Sequence, residues 1–222
     1  MTDEGGTEEM TGMTGGFYAM ISRMHLIQRW SLMRNSREEN VQEHSLQVAV
    51  LAHALALLRR RRPDAAEIPL PDPEHVMALA VFHDASEILT GDMPTPIKYL
   101  NRDLASAYHV AETRAVDRLL AMLPAGLRPD YEPLLRPDLD DPLEAAAWQL
   151  VKAADRLAAL SKCIEEEAAG NREFCRARAQ IEARLETMEL PELDMFRERF
   201  EDDFARSLDE LQTLVEGEGD TD

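Results

Sequence analysis

Apolar side chains recur at helical spacing along most of this chain. Val41, Leu46, Val48, Val50, Leu51, Leu55 and Leu58 predict a long helix over residues 38–60. Arg59 to Arg62 and then Pro63 end it, with the cations facing the negative end of the helix dipole. A loop containing Pro63, Pro69, Pro71 and Pro73 leads to a helix over 74–90. The uninterrupted run Met77–Phe82 would cover every side of that helix, so it is expected to be central and buried. Further helices are predicted over 17–30, 102–122, 143–169, 172–188 and 192–214. The helix over 143–169 carries the stripe Leu143, Ala147, Leu150, Ala154, Leu157 and Ser161, and Ala169-Gly170-Asn171 reads as its C-terminal cap. Residues 90–96 read as a loop, and residues 124–142, with five prolines, as a connection. Alternating β-branched runs joined by hairpin turns do not occur. The expected fold class is therefore all-α, a bundle of about six or seven helices. Residues 1–16 and 215–222 carry Gly, Thr and acidic residues without period. They read as a disordered extension and an acidic disordered tail flanking a single domain at 17–214.

Composition narrows the class. A chain of 222 residues, 45% apolar and 30% charged, can bury roughly 70% of its unfolded surface, so a wholly disordered or collagen-like chain is excluded. No apolar run is long enough to span a bilayer, and the acidic start MTDEGGTEEM lacks the basic-then-apolar order of a secretion signal. A cytoplasmic location is expected, with Cys163 and Cys175 as reduced thiols in helical segments. The net charge is −19, concentrated at the ends: four acids and no Lys or Arg over 1–22, nine acids against Arg206 over 201–222. Such a surface repels nucleic-acid polymers and anionic membranes. It still permits a small anionic ligand, for which the locally basic stretch Arg23, Arg29, Arg34, Arg37 is a candidate.

Several polar side chains stand where the pattern wants apolar ones. His83-Asp84 follows directly on the run Met77–Phe82, where a carboxylate should lose much of its hydration. His44 lies near the start of the long apolar helix, and Asp155 lies beside the apolar stripe of 143–169, with Lys152 and Arg156 able to point outward. Two imidazoles and two carboxylates facing one core suit a divalent cation of borderline hardness, and a thiolate zinc site is disfavoured. Taken singly, each residue is more often a hydrogen-bonded core histidine or an aspartate paired with Lys or Arg; it is the combination that points to a metal. Glu87 is four residues after His83 and three after Asp84, hence on the same face of the predicted helix, and Asp92 follows just beyond its end. Carboxylates so placed can move a proton in a hydrolysis, or can be a solvated helix end and a turn residue. His53 is half a turn away from His44, and His25, His75 and His109 have no supporting constellation.

The order His44, His83-Asp84, Asp155 resembles the HD-domain metal phosphohydrolases. Longer segments extend the likeness: Leu26–Asn35 (LIQRWSLMRN), Glu39–Ala49 (ENVQEHSLQVA), His83–Tyr99 (HDASEILTGDMPTPIKY) and Val151–Asp155 (VKAAD) are similar to the bacterial 5′-deoxynucleotidase family of that superfamily. The likeness spans about residues 17–212. It implies hydrolysis of deoxyribonucleoside 5′-monophosphates, an all-helical homodimer, and one divalent cation, cobalt or manganese first, with zinc, iron, copper or magnesium as further choices. It implies His44, His83, Asp84 and Asp155 as metal ligands, Arg29 as a phosphate contact, Trp30 as a wall near the sugar that selects deoxyribose, and Glu87 and Asp92 as active-site carboxylates. Either Glu87 or Asp92 could protonate the departing 5′-oxygen or hold the sugar 3′-hydroxyl, and Thr95 lies in the matching loop. A wall at Trp30 would offer a 2′-hydroxyl only the indole N–H. Other HD phosphohydrolases, acting on a nucleoside triphosphate, a cyclic dinucleotide or an alarmone, and a non-catalytic nucleotide sensor are the competing readings.

Overall fold

The computed structural model describes residues 15–98 and 100–216, without the side chains of 95, 96 and 214–216. The elements are α1 (Phe17–Ile21), continued by a 3-10 segment (Ser22–Leu26), α2 (Val41–Arg59), α3 (Pro73–Phe82), α4 (Glu87–Thr90), α5 (Thr95–Lys98), α6 (Arg102–Ala121), α7 (Arg128–Leu135), α8 (Pro142–Ala168), α9 (Cys175–Glu186), α10 (Pro191–Phe200) and α11 (Leu208–Glu216). Among the described residues the one extended pairing is an isolated antiparallel bridge, Gln28 to Asn40. The all-α expectation of about six or seven helices holds, with eight helices of eight residues or more among the described residues.

The differences have local causes. α7 forms within the proline-rich stretch because Pro129 falls in its first turn, where no backbone N–H is needed. The expected helix 192–214 is two helices: Arg206 is extended, and Ser207 and Glu210 exchange hydrogen bonds as a capping box that starts α11 afresh. The expected helix 17–30 ends at Leu26, and residues 27–40 form a long loop closed by the bridge. The expected disordered extension falls, over 1–14, outside the described residues, as does the acidic tip at 217–222; residues 215 and 216 belong to α11.

α2 is the central element and packs against α3 and α8. Its inner face is Val41, His44, Ser45, Val48, Leu51, Ala52, Leu55 and Ala56. Leu46 and Val50, expected in the core, lie opposite that face and are exposed, as 100° per residue requires. α3 is likewise one-sided: Val76, Leu79 and Ala80 are buried, whereas Met77 and Val81 are exposed. On α8, Ala147, Ala154 and Ala158 are buried against this core, and such small side chains let two helix backbones approach closely. Asn40 caps α2 by accepting from the Glu43 N–H at 3.0 Å, worth about 1 kcal/mol, and so sets where the first turn of α2 begins. A second cluster of Phe17, Ala85, Leu119, Leu120 and Leu123 closes the other side.

The loop 27–40 is latched to the end of α8 by buried Glu166. Its carboxylate accepts from the Ser36 N–H at 2.8 Å, the Arg37 N–H at 3.3 Å and Asn171 Nδ2 at 2.7 Å, and pairs with Lys162. Burial alone would raise this carboxyl, but the bonds from Lys162, Ser36 and Asn171 outweigh it and bring it down to about 2. A depressed carboxyl stabilises the fold fully above its ordinary value of 4.5, and that stabilisation is lost as pH falls toward 2. The contribution is on the order of 3 kcal/mol. Thermal unfolding at stepped pH should therefore show native protein well above Glu166→Gln at pH 7 and the two converging near pH 2. A gap that does not change with pH would contradict the latch.

Candidate active site

His44 sits one turn into α2, fully buried, with Nε2 3.1 Å from Asp155 Oδ1 on α8. α3 stops at Phe82, and residues 83–86 form a turn with bonds from the Ala85 N–H to Phe82 O at 3.0 Å and from the Glu87 N–H to Asp84 O at 2.9 Å. The helix expected over 74–90 is thus broken at the His-Asp pair. His83 and Asp84 project from a turn, and Glu87 arrives as the first residue of α4 rather than on one straight face. His83 Nδ1 donates to the Ala80 carbonyl at 2.7 Å, which leaves Nε2 as the ring nitrogen facing the cluster. That nitrogen is buried without a hydrogen bond, 3.1 Å from Asp84 Oδ2 and 3.9 Å from Asp155 Oδ1. His44 Nε2 lies 3.8 Å from Asp84 Oδ2. One donor atom each from His44, His83 and Asp84 falls within 4.8 Å of the others, and Asp155 Oδ1 borders both imidazoles.

The charges around this cluster are unbalanced. Burial lowers the His44 imidazole, helped by Arg29, so it is neutral and able to ligate. Burial also disfavours charge on His83, but Asp84 and Asp155 outweigh it and raise the imidazole. Asp84 and Asp155 are both held well below the usual carboxylate range: burial opposes ionisation, but His83 and Arg29 for the first, and Lys152 and His44 for the second, prevail. Lys152 does not point away as the sequence pattern allowed; its Nζ lies 3.3 Å from Asp155 Oδ2. Two half-buried carboxylates, a neutral imidazole and an unbonded imidazole nitrogen form a mixed nitrogen and oxygen donor set that fits a divalent cation of borderline hardness.

The substrate-side residues gather around the same cluster. Of the basic stretch, Arg29 alone reaches it, donating from a terminal guanidinium nitrogen to Asp84 Oδ2 at 3.4 Å; Arg23 and Arg37 are exposed, and Arg34 pairs with Glu173 at 2.9 Å. Trp30 follows in a left-handed conformation, φ 56°, unusual for a bulky residue. Its indole N–H, expected to be free for a sugar hydroxyl, instead donates to Glu39 Oε2 at 2.7 Å. Glu87 is buried, and burial together with Asp84 and Asp92 pushes its carboxyl up to about 9. Burial also raises Asp92, against the pull of Arg29. Thr95 opens α5, and its side chain lies outside the described residues. His75 pairs with Glu144 at 2.7 Å, and His109 is exposed.

Glu39 and Lys152 were missed in the sequence. Glu39 stands in a loop where no periodicity marks a buried carboxylate, and Lys152 looked like an ordinary outward lysine.

Residues 16–204 match the family described as 5′-deoxynucleotidase YfbR-like. A 5′-deoxynucleotidase of Vibrio atlanticus is 46% identical over 195 residues, 88% of this chain and 97% of that protein. The 5′-deoxynucleotidase YfbR of Escherichia coli is 47% identical over 195 residues, 88% of this chain and 94% of that protein. Among solved structures, an HD-domain phosphohydrolase from Listeria innocua aligns with a TM-score of 0.70 at 23% identity, covering 91% of this chain and 98% of that one. A cyanophage S-2L HD phosphohydrolase, bound to dA and one catalytic zinc ion, aligns with a TM-score of 0.58 at 18% identity, covering 85% of this chain and 96% of that one. Those two likenesses speak for the fold.

Proposed function

The chain belongs to the YfbR-like 5′-deoxynucleotidase family, and from that premise we propose that it hydrolyses deoxyribonucleoside 5′-monophosphates to deoxyribonucleoside and phosphate, with one divalent cation held by His44, His83, Asp84 and Asp155. The observation that carries this reading is the unbonded, buried Nε2 of His83 facing two carboxylates and a second imidazole. Cobalt or manganese is the first choice of ion. When bound, the cation acidifies a water and offsets charge on the phosphoryl group.

Each remaining step belongs to a side chain of this protein. Arg29 offers the phosphate a planar guanidinium already held at the cluster by Asp84. Glu87, with its carboxyl up at about 9, is protonated at neutral pH and donates its proton to the departing 5′-oxygen. Asp92 takes the sugar 3′-hydroxyl. Trp30, tilted against buried Phe174 with ring centroids 5.3 Å apart, forms the wall that leaves no room at C2′. Because its N–H is engaged, a 2′-hydroxyl there finds no donor, at about 1–3 kcal/mol, or roughly ten- to a hundredfold in selectivity. Trp30→Ala should lower the deoxyribo-to-ribonucleotide ratio of kcat/KM by about that factor; an unchanged ratio removes the wall from the account.

No helix among the described residues is long and apolar enough to cross a membrane. A homodimeric, cytoplasmic enzyme without nucleic-acid or membrane partners completes the reading. The direct test is phosphate release from a panel of deoxyribo- and ribonucleoside mono- and triphosphates, with and without added cobalt. Cobalt-dependent release from the deoxyribonucleoside monophosphates is expected; preference for a triphosphate, or no turnover of any nucleotide, would overturn the proposal.

A further inference from the structure

The geometry points to Glu39 as a positioning residue for sugar selectivity: its buried carboxylate locks the Trp30 indole in place and consumes the indole N–H, so that the ring meets C2′ as a purely steric wall. This rests on Trp30 standing at the sugar, as proposed above.

Three observations converge on Glu39. First, the side chain is buried, and Oε2 accepts from Trp30 Nε1 at 2.7 Å, while the same oxygen lies 3.6 Å from Arg29 Nε. A buried carboxylate without such donors is costly, so both contacts are strongly favoured. One carboxylate thereby orients the two consecutive residues assigned to phosphate and sugar. Second, the backbone is built to bring Glu39 there. The Arg29 N–H bonds to the Glu39 carbonyl at 2.9 Å and the Val41 N–H to the Ile27 carbonyl at 2.9 Å, flanking the Gln28 to Asn40 bridge. Glu39 therefore lies across from Arg29 by strand pairing, in an otherwise helical protein. Third, Trp30 is held in a left-handed conformation that a bulky side chain rarely adopts. Its carbonyl accepts from the Met33 N–H at 2.9 Å and from Asn35 Nδ2 at 3.3 Å, and Phe174 backs one side of the ring. The Glu39 bond fixes the remaining freedom, rotation about the side-chain torsions.

The chemistry sets the direction of the effect. An indole N–H within reach of C2′ would reward a ribose hydroxyl with a hydrogen bond. An indole whose N–H is spent on a carboxylate offers the same hydroxyl only carbon. Glu39→Ala both frees that donor and lets the ring turn, so ribonucleotides gain relative to deoxyribonucleotides. Glu39→Gln keeps an oxygen acceptor at the same place and should keep the wall.

The test compares kcat/KM on matched deoxyribo- and ribonucleoside 5′-monophosphates for native enzyme, Trp30→Ala, Glu39→Ala and Glu39→Gln. We expect Glu39→Ala to lower the deoxyribo preference about tenfold, mainly through a lower KM for the ribonucleotide, and Glu39→Gln to restore it to within about twofold of native. A preference unchanged in Glu39→Ala, while Trp30→Ala abolishes it, overturns the role of Glu39 and leaves the wall intact. A preference unchanged in Trp30→Ala instead overturns the reading on which this one rests. The native protein supplies an independent readout should Glu39→Ala not fold. The chain has two tryptophans, Trp30 and Trp148, and Trp148→Phe assigns the indole N–H signals by NMR. The Trp30 signal should be shifted downfield and exchange slowly with solvent; rapid exchange at the rate of a free indole overturns the proposal.

Discussion

Asp84→Ala is expected to lose both the divalent cation and the hydrolysis of deoxyribonucleoside monophosphates. The carboxylate of Asp84 does three things in this site. It contributes an oxygen 3.1 Å from His83 Nε2 and 3.8 Å from His44 Nε2, so its removal takes one donor from a compact set. It accepts from Arg29, so its removal also frees the guanidinium assigned to the phosphate. Its negative charge holds the His83 imidazole up, and with it goes much of the charge that makes the pocket attractive to a cation. A proposed ligand serving all these ends cannot be replaced by water, and kcat/KM should fall roughly a thousandfold or more. Metal content after desalting, read beside phosphate release, checks both halves. Full activity in a metal-free Asp84→Ala protein would contradict the assignment.

Glu87 should separate chemistry from metal binding. Glu87→Gln keeps the shape and neutrality of a protonated carboxyl but has no proton to give, and Glu87→Ala removes the group altogether. Both variants should retain one cation per chain while kcat falls roughly 10²- to 10⁴-fold, the usual worth of a positioned acid. KM should change far less, because the role proposed for the group is at the leaving oxygen rather than at the phosphate. The native carboxyl is pushed up to about 9, so native protein binds its proton more tightly than the unfolded chain does. Its contribution therefore favours folding less and less as pH rises from 4.5 toward 9. Metal-free Glu87→Gln is relieved of that cost and should melt no lower than metal-free native protein at pH 8. A lowered melting temperature with unchanged kcat would recast Glu87 as structural.

How much of this was legible in the sequence depends on the kind of signal each residue leaves. His44 and Asp155 could be found because each interrupts or borders an apolar stripe on a long helix, and the two helices do pack so that His44 Nε2 and Asp155 Oδ1 meet at 3.1 Å. The His83-Asp84 pair was equally visible, but its local structure was not. Continuous apolar residues before it hid the end of α3 at Phe82, since no glycine or proline marks the break. The same continuity overstated the burial of Met77 and Val81. Trp30 and its neighbours were the hardest case. They sit in a loop whose shape depends on a bridge between residues twelve positions apart in the chain, Gln28 and Asn40, and on a latch to Glu166 on α8. Such long-range pairings leave no period to read, which is why Glu39 was invisible and why the indole N–H was expected to be free.

The central claim is that four side chains, from two helices and a turn, share one ion. Anomalous scattering from crystals of the full chain grown with cobalt tests it most directly. The account predicts a single cobalt peak about 2 Å from Nε2 of His44, Nε2 of His83 and one carboxylate oxygen each of Asp84 and Asp155. No peak at that position, or a peak whose ligands leave out Asp155, would contradict it.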